Sequence, residues 1–173
     1  MIDLKLKDDQ YEFKGVDHTR EVIRAILVNE DNKILLEKIV DNDMFGPRDY
    51  YETPGGGAKE NETHLETLKR EIAEECGYLI SDDIVLLGKV KDYYNLINRE
   101  NHNYYYIARV IGKCEQHLEA DELRRIAAFC WVDIDEAITL YENMQNVLVG
   151  KLVKQRELPI LKYYLAVKKK VGN

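Results

Sequence analysis

The strongest constraint in this chain is a helix that must carry three like charges on one side. Residues 70–77 read REIAEECG. In a helix, Glu71, Glu74 and Glu75 stand at i, i+3 and i+4 and share a face. Each exposed like-charge pair costs roughly 0.2–0.5 kcal/mol, and carboxylates near a helix C-terminus oppose its dipole. The ends of the helix are legible. Thr63-His64-Leu65-Glu66 fits the S/T-x-x-E capping box, and Gly77 stands where a left-handed residue commonly ends a helix. At 100° per residue, Leu65, Leu68, Ile72 and Cys76 fall within an arc of about 80°, the expected core contact. The carboxylates lie on the neighbouring arc, centred near Glu71. There they are partly desolvated and repel more strongly than exposed ones would. Either this face is simply solvated, or something cationic sits on it.

The whole chain narrows the choice. Its 173 residues suit a single domain, 1–173, with a proper core. Hydrophobic residues at 45% and charged residues at 33% describe a soluble globular protein. The formal net charge of −7 argues against a surface that coats nucleic acid. It also makes an anionic substrate awkward unless metal ions mediate. Cys76, Cys114 and Cys130 form no CxxC pair and read as free thiols of a reducing compartment. The N-terminal MIDLKLKDDQYEFKG has no apolar signal core, and no stretch approaches 18 uncharged apolar residues. A cytoplasmic protein without a membrane partner is expected.

Strands and helices alternate along the chain, without repeats or low-complexity segments. TREVIRAILVN and KILLEKIV read as a hairpin around Glu30-Asp31-Asn32, and DNDMFGPRDY as a loop. IVLLGKVKDYYNLI and NYYYIARVIG are strand-like runs joined around Arg99 to Asn103. AAFCWVDI reads as a strand and DEAITLYENM as a short helix. A C-terminal helix is expected from Glu157 to Lys170, with Pro159 in its first turn. The class is α/β.

Upstream of the acidic helix lies PGGGAKENE, whose glycines permit backbone conformations that a Cβ forbids. Gly56 is followed after five residues by Glu62, and after seven more by Arg70-Glu71-Ile72. Glu74-Glu75 and Gly77-Tyr78 complete the spacing. This resembles the signature of the Nudix hydrolases, G-x5-E-x7-R-E-U-x-E-E-x-G-U with U aliphatic. Residues 56–78 match at every charged and glycine position; only Tyr78 departs, as a tyrosine where an aliphatic is usual. The resemblance implies a Nudix-type α/β/α sandwich with a mixed β-sheet. It also implies a divalent-metal-dependent pyrophosphohydrolase that cleaves a nucleoside diphosphate linked to another moiety, such as a nucleoside triphosphate or dinucleoside polyphosphate. By similarity, Glu71, Glu74 and Glu75 are the catalytic metal ligands for Mg2+ or Mn2+, with the Gly56 carbonyl beside them. Glu62 and Arg70 then brace the loop and helix. Hard cations of this kind favour oxygen ligands and bridge carboxylate to phosphate.

Related sites often draw a further carboxylate from outside the signature. HLEADELRR offers Glu119, Asp121 and Glu122, of which Glu122 is the choice, with a surface acidic loop as the alternative. Arg48, Tyr50 and Tyr51 precede the glycines and either contact phosphate or base or are ordinary surface and strand residues; Arg48 and Tyr51 are carried forward as substrate-binding. The four histidines lack metal-type spacing. Within the family, a proline about fifteen residues beyond the signature accompanies ADP-ribose hydrolysis, and it is absent here. A tyrosine sixteen to eighteen residues beyond accompanies dinucleoside polyphosphates; Tyr94 fits, although tyrosine is also a good strand residue. Two other readings stay open: a catalytically silent nucleotide sensor, disfavoured by the intact glutamates, and an RNA 5′-end pyrophosphohydrolase, disfavoured by the acidic balance. A homodimer is the oligomer that related enzymes suggest.

Overall fold

The computed structural model describes residues 1–171; residues 172–173, the end of the expected 1–173 span, lie outside the described residues. The strands are β1 (Ile2–Lys5), β2 (His18–Val28), β3 (Ile34–Asp43), β4 (Gly46–Glu52), β5 (Gly55–Gly57), β6 (Tyr78–Ile80), β7 (Val85–Tyr94), β8 (Arg99–Lys113) and β9 (Ile126–Val132). The helices are α1 (His64–Glu71), α2 (Ala120–Arg125), α3 (Ile134–Asn143) and α4 (Leu148–Val171). The sheet is mixed. β1 runs parallel to β7, β7 antiparallel to β8, and β8 parallel to β2 from His18↔Arg99 to Val28↔Arg109. The other edge of β2 takes β5. β3 meets β2 only at Val28↔Ile34 and is itself flanked by β4 and β9. The two strand blocks therefore separate beyond their shared turn, and a cavity is lined from both.

Alternation along β2 builds two cores. Ile23, Ala25 and Leu27 pack with Leu68, Ile72 and Cys76 under the acidic helix. Ile26 and Val28 pack with Tyr141 of α3 and with Val153, Ile160 and Leu161 of α4. Helices thus cover both faces of the sheet, which is the α/β/α sandwich.

The acidic helix begins as its sequence requires. Thr63 is the N-cap, with a complete capping box to Glu66. After Glu71 it widens into a π-helical turn over Ile72–Cys76, which ends at Gly77 with φ of 71°. The widened turn brings residues four apart closer to eclipsing. Glu71 and Glu75 are buried together, whereas the Glu74 side chain stays 44% exposed. Leu65, expected in the core, is half-buried.

Three expectations are corrected. DNDMFGPRDY is a hairpin rather than a loop: β3 continues to Asp43 and β4 starts at Gly46, registered Asp43↔Gly46. Its polar composition reflects a hairpin arm that extends beyond the core, where Val40, Pro47 and Asp49 are exposed. The turn between the long strands falls at Asn95–Asn98, not at Arg99–Asn103. Arg99 to Asn103 is already strand, and its alternate polar side chains face the cavity. α4 starts nine residues earlier than Glu157, so Pro159 lies inside the helix. Val149, Leu152, Val153 and Arg156 form the buried stripe of those earlier turns.

A charged cavity between the two strand blocks

The cavity measures about 390 Å3 and has two walls of opposite charge. Glu71, Glu75 and Glu122 form the acidic one. Each offers a carboxylate oxygen, and the three oxygens lie within 4.8 Å of one another. Glu71 ends α1, Glu75 lies in the π turn that follows, and α2 supplies Glu122. Glu119 caps α2, its backbone N–H donating to Glu122 Oε2 at 2.7 Å. Glu75 is only 2% exposed, and its Oε2 has no hydrogen-bond partner among the described residues. Arg125 approaches it no closer than 3.6 Å. Burial, then the charges of Glu37 and Glu71, hold the Glu75 carboxyl well above the usual carboxylate range. Burial also raises Glu71, against the pull of Arg70. Such a cluster of buried, mutually repelling oxygens is the donor set that a hard divalent cation satisfies.

The glycine run lets β5 lie against these carboxylates. A Cβ at Gly56 would stand 2.5 Å from the Glu71 carboxylate, so only glycine permits the contact. Arg70 fastens loop to helix: its Nε and Nη2 donate to the two Glu62 oxygens at 2.7 and 2.9 Å, and Nη2 also reaches the Gly57 carbonyl at 3.1 Å. Nη1 donates to Glu71 Oε1 at 2.7 Å and holds that carboxylate in place. Glu62 in turn accepts from the Lys59 N–H and the Thr67 hydroxyl, each at 3.0 Å.

The other wall is basic. Arg24 and Arg156 are buried with carboxylate partners, Glu52 being shared by both. Arg48 lines the cavity, paired with Asp43 at 2.6 Å and donating to the Tyr50 hydroxyl at 3.4 Å. Tyr94 lines it too, with its ring under the Arg99 guanidinium at 4.8 Å. Tyr51 is not brought to the cavity. Alternation in β4 turns it to the opposite face, where Lys38 Nζ lies 4.5 Å from its ring centre, and Tyr50 takes the inward position. Glu74 lines the rim without joining the three-oxygen cluster. His64 is structural, linking the Tyr106 hydroxyl at 2.6 Å and Glu21 at 3.0 Å.

Reading the sequence missed Arg20, Arg99 and Asn101, which all line the cavity. Arg20 and Arg24 share one side of β2, and Arg99, Asn101 and Asn103 one side of β8. The polar Thr19, Glu21, Glu100 and His102 between them hide the period of two, so the sequence carries no clean signal of the cavity face.

Comparison with known proteins agrees with this geometry. The NUDIX domain profile matches residues 18–149. An RNA pyrophosphohydrolase of Hydrogenovibrio crunogenus is 34% identical over 77 residues, spanning 44% of this chain and 42% of that protein. A NUDIX hydrolase from Nitrosomonas europaea superimposes with a TM-score of 0.65 at 20% identity, over 87% of this chain and 91% of its own. A MutT protein from Methanosarcina mazei Go1 does so with a TM-score of 0.58 at 15% identity, over 94% and 100%. These two structural likenesses carry the fold. The domain match spans most of the chain and includes the acidic turn, its glycine cradle and the Arg70–Glu62 brace, and so the chain belongs to the Nudix hydrolase family.

Proposed function

We propose that this protein is a divalent-metal-dependent pyrophosphohydrolase that cleaves a nucleoside diphosphate linked to another moiety. The observation that carries the reading is the convergence of Glu71, Glu75 and Glu122 within 4.8 Å on one wall of an otherwise arginine-rich cavity. Glu71 and Glu75 would hold the cation with Glu122 closing the ligand set, the Gly56 carbonyl beside Glu71 and Glu74 available from the rim. The all-oxygen donor set suits Mg2+ or Mn2+, which supplies charge neutralisation at the phosphates and an activated water. Arg48 faces the phosphate chain from the opposite wall, with Tyr94 beside it. Arg70 and Glu62 keep the glycine loop and the ligand helix in register. Water adds to one phosphorus, the bridging P–O bond breaks, and two phosphate products leave with release of a proton.

Three further points belong to this reading. The activity resides in one domain spanning the chain. Free thiols at Cys76, Cys114 and Cys130 fit a cytoplasmic setting. A homodimer is the assembly to look for. Among the described residues no helix is long and apolar enough to cross a membrane.

A second reading, RNA 5′-end pyrophosphohydrolysis, is favoured by the name of the Hydrogenovibrio relative. The acidic net charge weighs against it. One experiment separates the two. Product release is measured over nucleoside triphosphates, dinucleoside polyphosphates, sugar nucleotides and 5′-triphosphorylated RNA, with Mg2+, Mn2+ or chelator. We expect metal-dependent turnover of small nucleotides that falls at least about 100-fold in Glu75→Gln. Turnover of RNA alone would select the second reading. Binding without any turnover would make the protein a sensor.

A further inference from the structure

The basic wall holds more than a pyrophosphate needs. Arg99 and Asn101 project from β8 on the same side, and Arg20 stands opposite Asn101 in the β2–β8 register. Arg20 and Arg99 have neither an ion pair nor a side-chain hydrogen bond among the described residues, whereas Arg24, Arg48 and Arg156 all have carboxylate partners. Burial, then the nearby charge of Arg99, disfavours the charged form of Arg20. Arg20 sits beside the glycine loop, its guanidinium 3.0 Å from where a Cβ of Gly57 would be. It therefore stands between the acidic wall and Arg99.

Asn101 is the telling residue. It is 2% exposed, and among the described residues neither its Nδ2 nor its Oδ1 has a partner. Asn103, two residues on and equally buried, donates to the Val90 carbonyl and to Asp92 Oδ1, each at 3.0 Å. One buried asparagine of this strand is thus consumed by the fold, and the other aims a donor and an acceptor into the cavity.

We propose that Arg99 and Asn101, with Arg20 between the two walls, form a subsite for a second phosphate carried on a hydroxyl-bearing sugar in the organic part of the substrate. The proposal rests on the pyrophosphohydrolase reading for the position of the bond that is cleaved. The chemistry of the wall selects this group. A carboxylate without a neighbouring hydroxyl would neutralise the arginines but bring no donor for Asn101 Oδ1. A nucleobase edge would satisfy the amide yet leave the half-buried Arg99 guanidinium, and the exposed Arg20 beside it, without an anion. A sugar phosphate does both: its oxygens accept from Arg99 and Asn101 Nδ2, and an adjacent hydroxyl donates to Oδ1. The substrate class is therefore a pyrophosphate ester whose sugar carries an additional phosphomonoester.

The test uses binding without turnover. Adenosine 5′-phosphate, adenosine 2′,5′-bisphosphate and adenosine 3′,5′-bisphosphate are titrated calorimetrically into the full chain in chelator. One bisphosphate binds at least about tenfold more tightly than the monophosphate. Arg99→Met and Asn101→Ala each abolish that preference, with thermal melts to verify folding. Equal binding of all three to the wild type overturns the subsite, and so does a preference that survives both substitutions. The wild-type comparison decides even where a variant fails to fold. With Mg2+ added, a preference without turnover of any pyrophosphate ester would sink the hydrolase reading and leave the subsite standing. Turnover without a preference would do the reverse.

Discussion

Two buried charge clusters lie in this molecule, and they are built on opposite terms. Around Arg156 each charged group has an opposite partner, although the Arg156 Nε–H has no acceptor among the described residues. Arg156 donates to Glu52 at 2.8 Å, to Asp92 at 3.2 Å and to the Tyr94 hydroxyl at 3.3 Å. Its neighbour Glu157, 0% exposed, accepts from the Tyr141 hydroxyl at 2.6 Å, the Thr53 N–H at 2.8 Å and the Tyr105 hydroxyl at 3.2 Å. Around Glu75 the charges are unbalanced, with an orphaned oxygen, three nearby carboxylates in Glu37, Glu71 and Glu122, and a distant arginine. Burial of charge is common to both and does not mark the site. The deficit of counter-charge does, because it is a deficit a ligand can fill.

The sharpest way to break this comparison is to remove the centre of the balanced cluster. Arg156→Met should destabilise the protein by about 3–5 kcal/mol, because it leaves Asp92 buried without its cation and Glu52 and Glu157 with Arg24 alone. Urea denaturation followed by circular dichroism measures this. A loss below about 1 kcal/mol would mean that the cluster relaxes around the gap and is not a fixed structural element.

The unbalanced cluster should respond in the opposite sense. Without metal, Glu75→Gln should leave stability unchanged or raised, since it removes a repelling carboxylate instead of a partner. Mg2+ or Mn2+ at about 100 times its dissociation constant should stabilise the wild type by about 2.7 kcal/mol, a rise in Tm of several degrees. Glu75→Gln should lose most of that rise. An equal rise in both proteins would move the cation elsewhere.

The same contrast explains what could be read from the sequence. Thr63, Gly77 and the spacing from Gly56 to Glu75 are local, so the capped helix, its end and the acidic wall were legible. Glu122 was reachable only as a choice among acids, because α2 is brought to the π turn by tertiary packing. The Arg156 cluster joins β2, β4, β7, β8, α3 and α4, and no spacing in the sequence announces it. Polarity misled twice: the Asp41–Tyr50 hairpin and the start of β8 carry polar residues for solvent and for the cavity, and both read as loops. Tyr51 failed for a simpler reason. Period-two alternation fixes which of two adjacent tyrosines points inward, and the sequence does not say which face of β4 is covered.

A third charge group, at the surface, sets the lower end of the scale. Glu100 also lies on β8 but faces away from the cavity, toward His102 and Lys91, with Lys91 Nζ donating at 2.9 Å. The hydrogen bond with His102, then that with Lys91, lowers its carboxyl pKa to about 2. A carboxylate depressed by folding contributes stability above its unfolded pKa of about 4.3 and loses it as pH falls toward the folded value. Solvent screening keeps the contribution below about 1 kcal/mol. Wild type should therefore exceed Glu100→Gln by that small margin at pH 7, and the gap should close between about pH 5 and pH 2. A gap that persists at pH 2 would show that Glu100 acts through packing. The surface pair would then resemble the Arg156 cluster in kind, and the division drawn here between charges that stabilise and charges that wait for a ligand would need a third term.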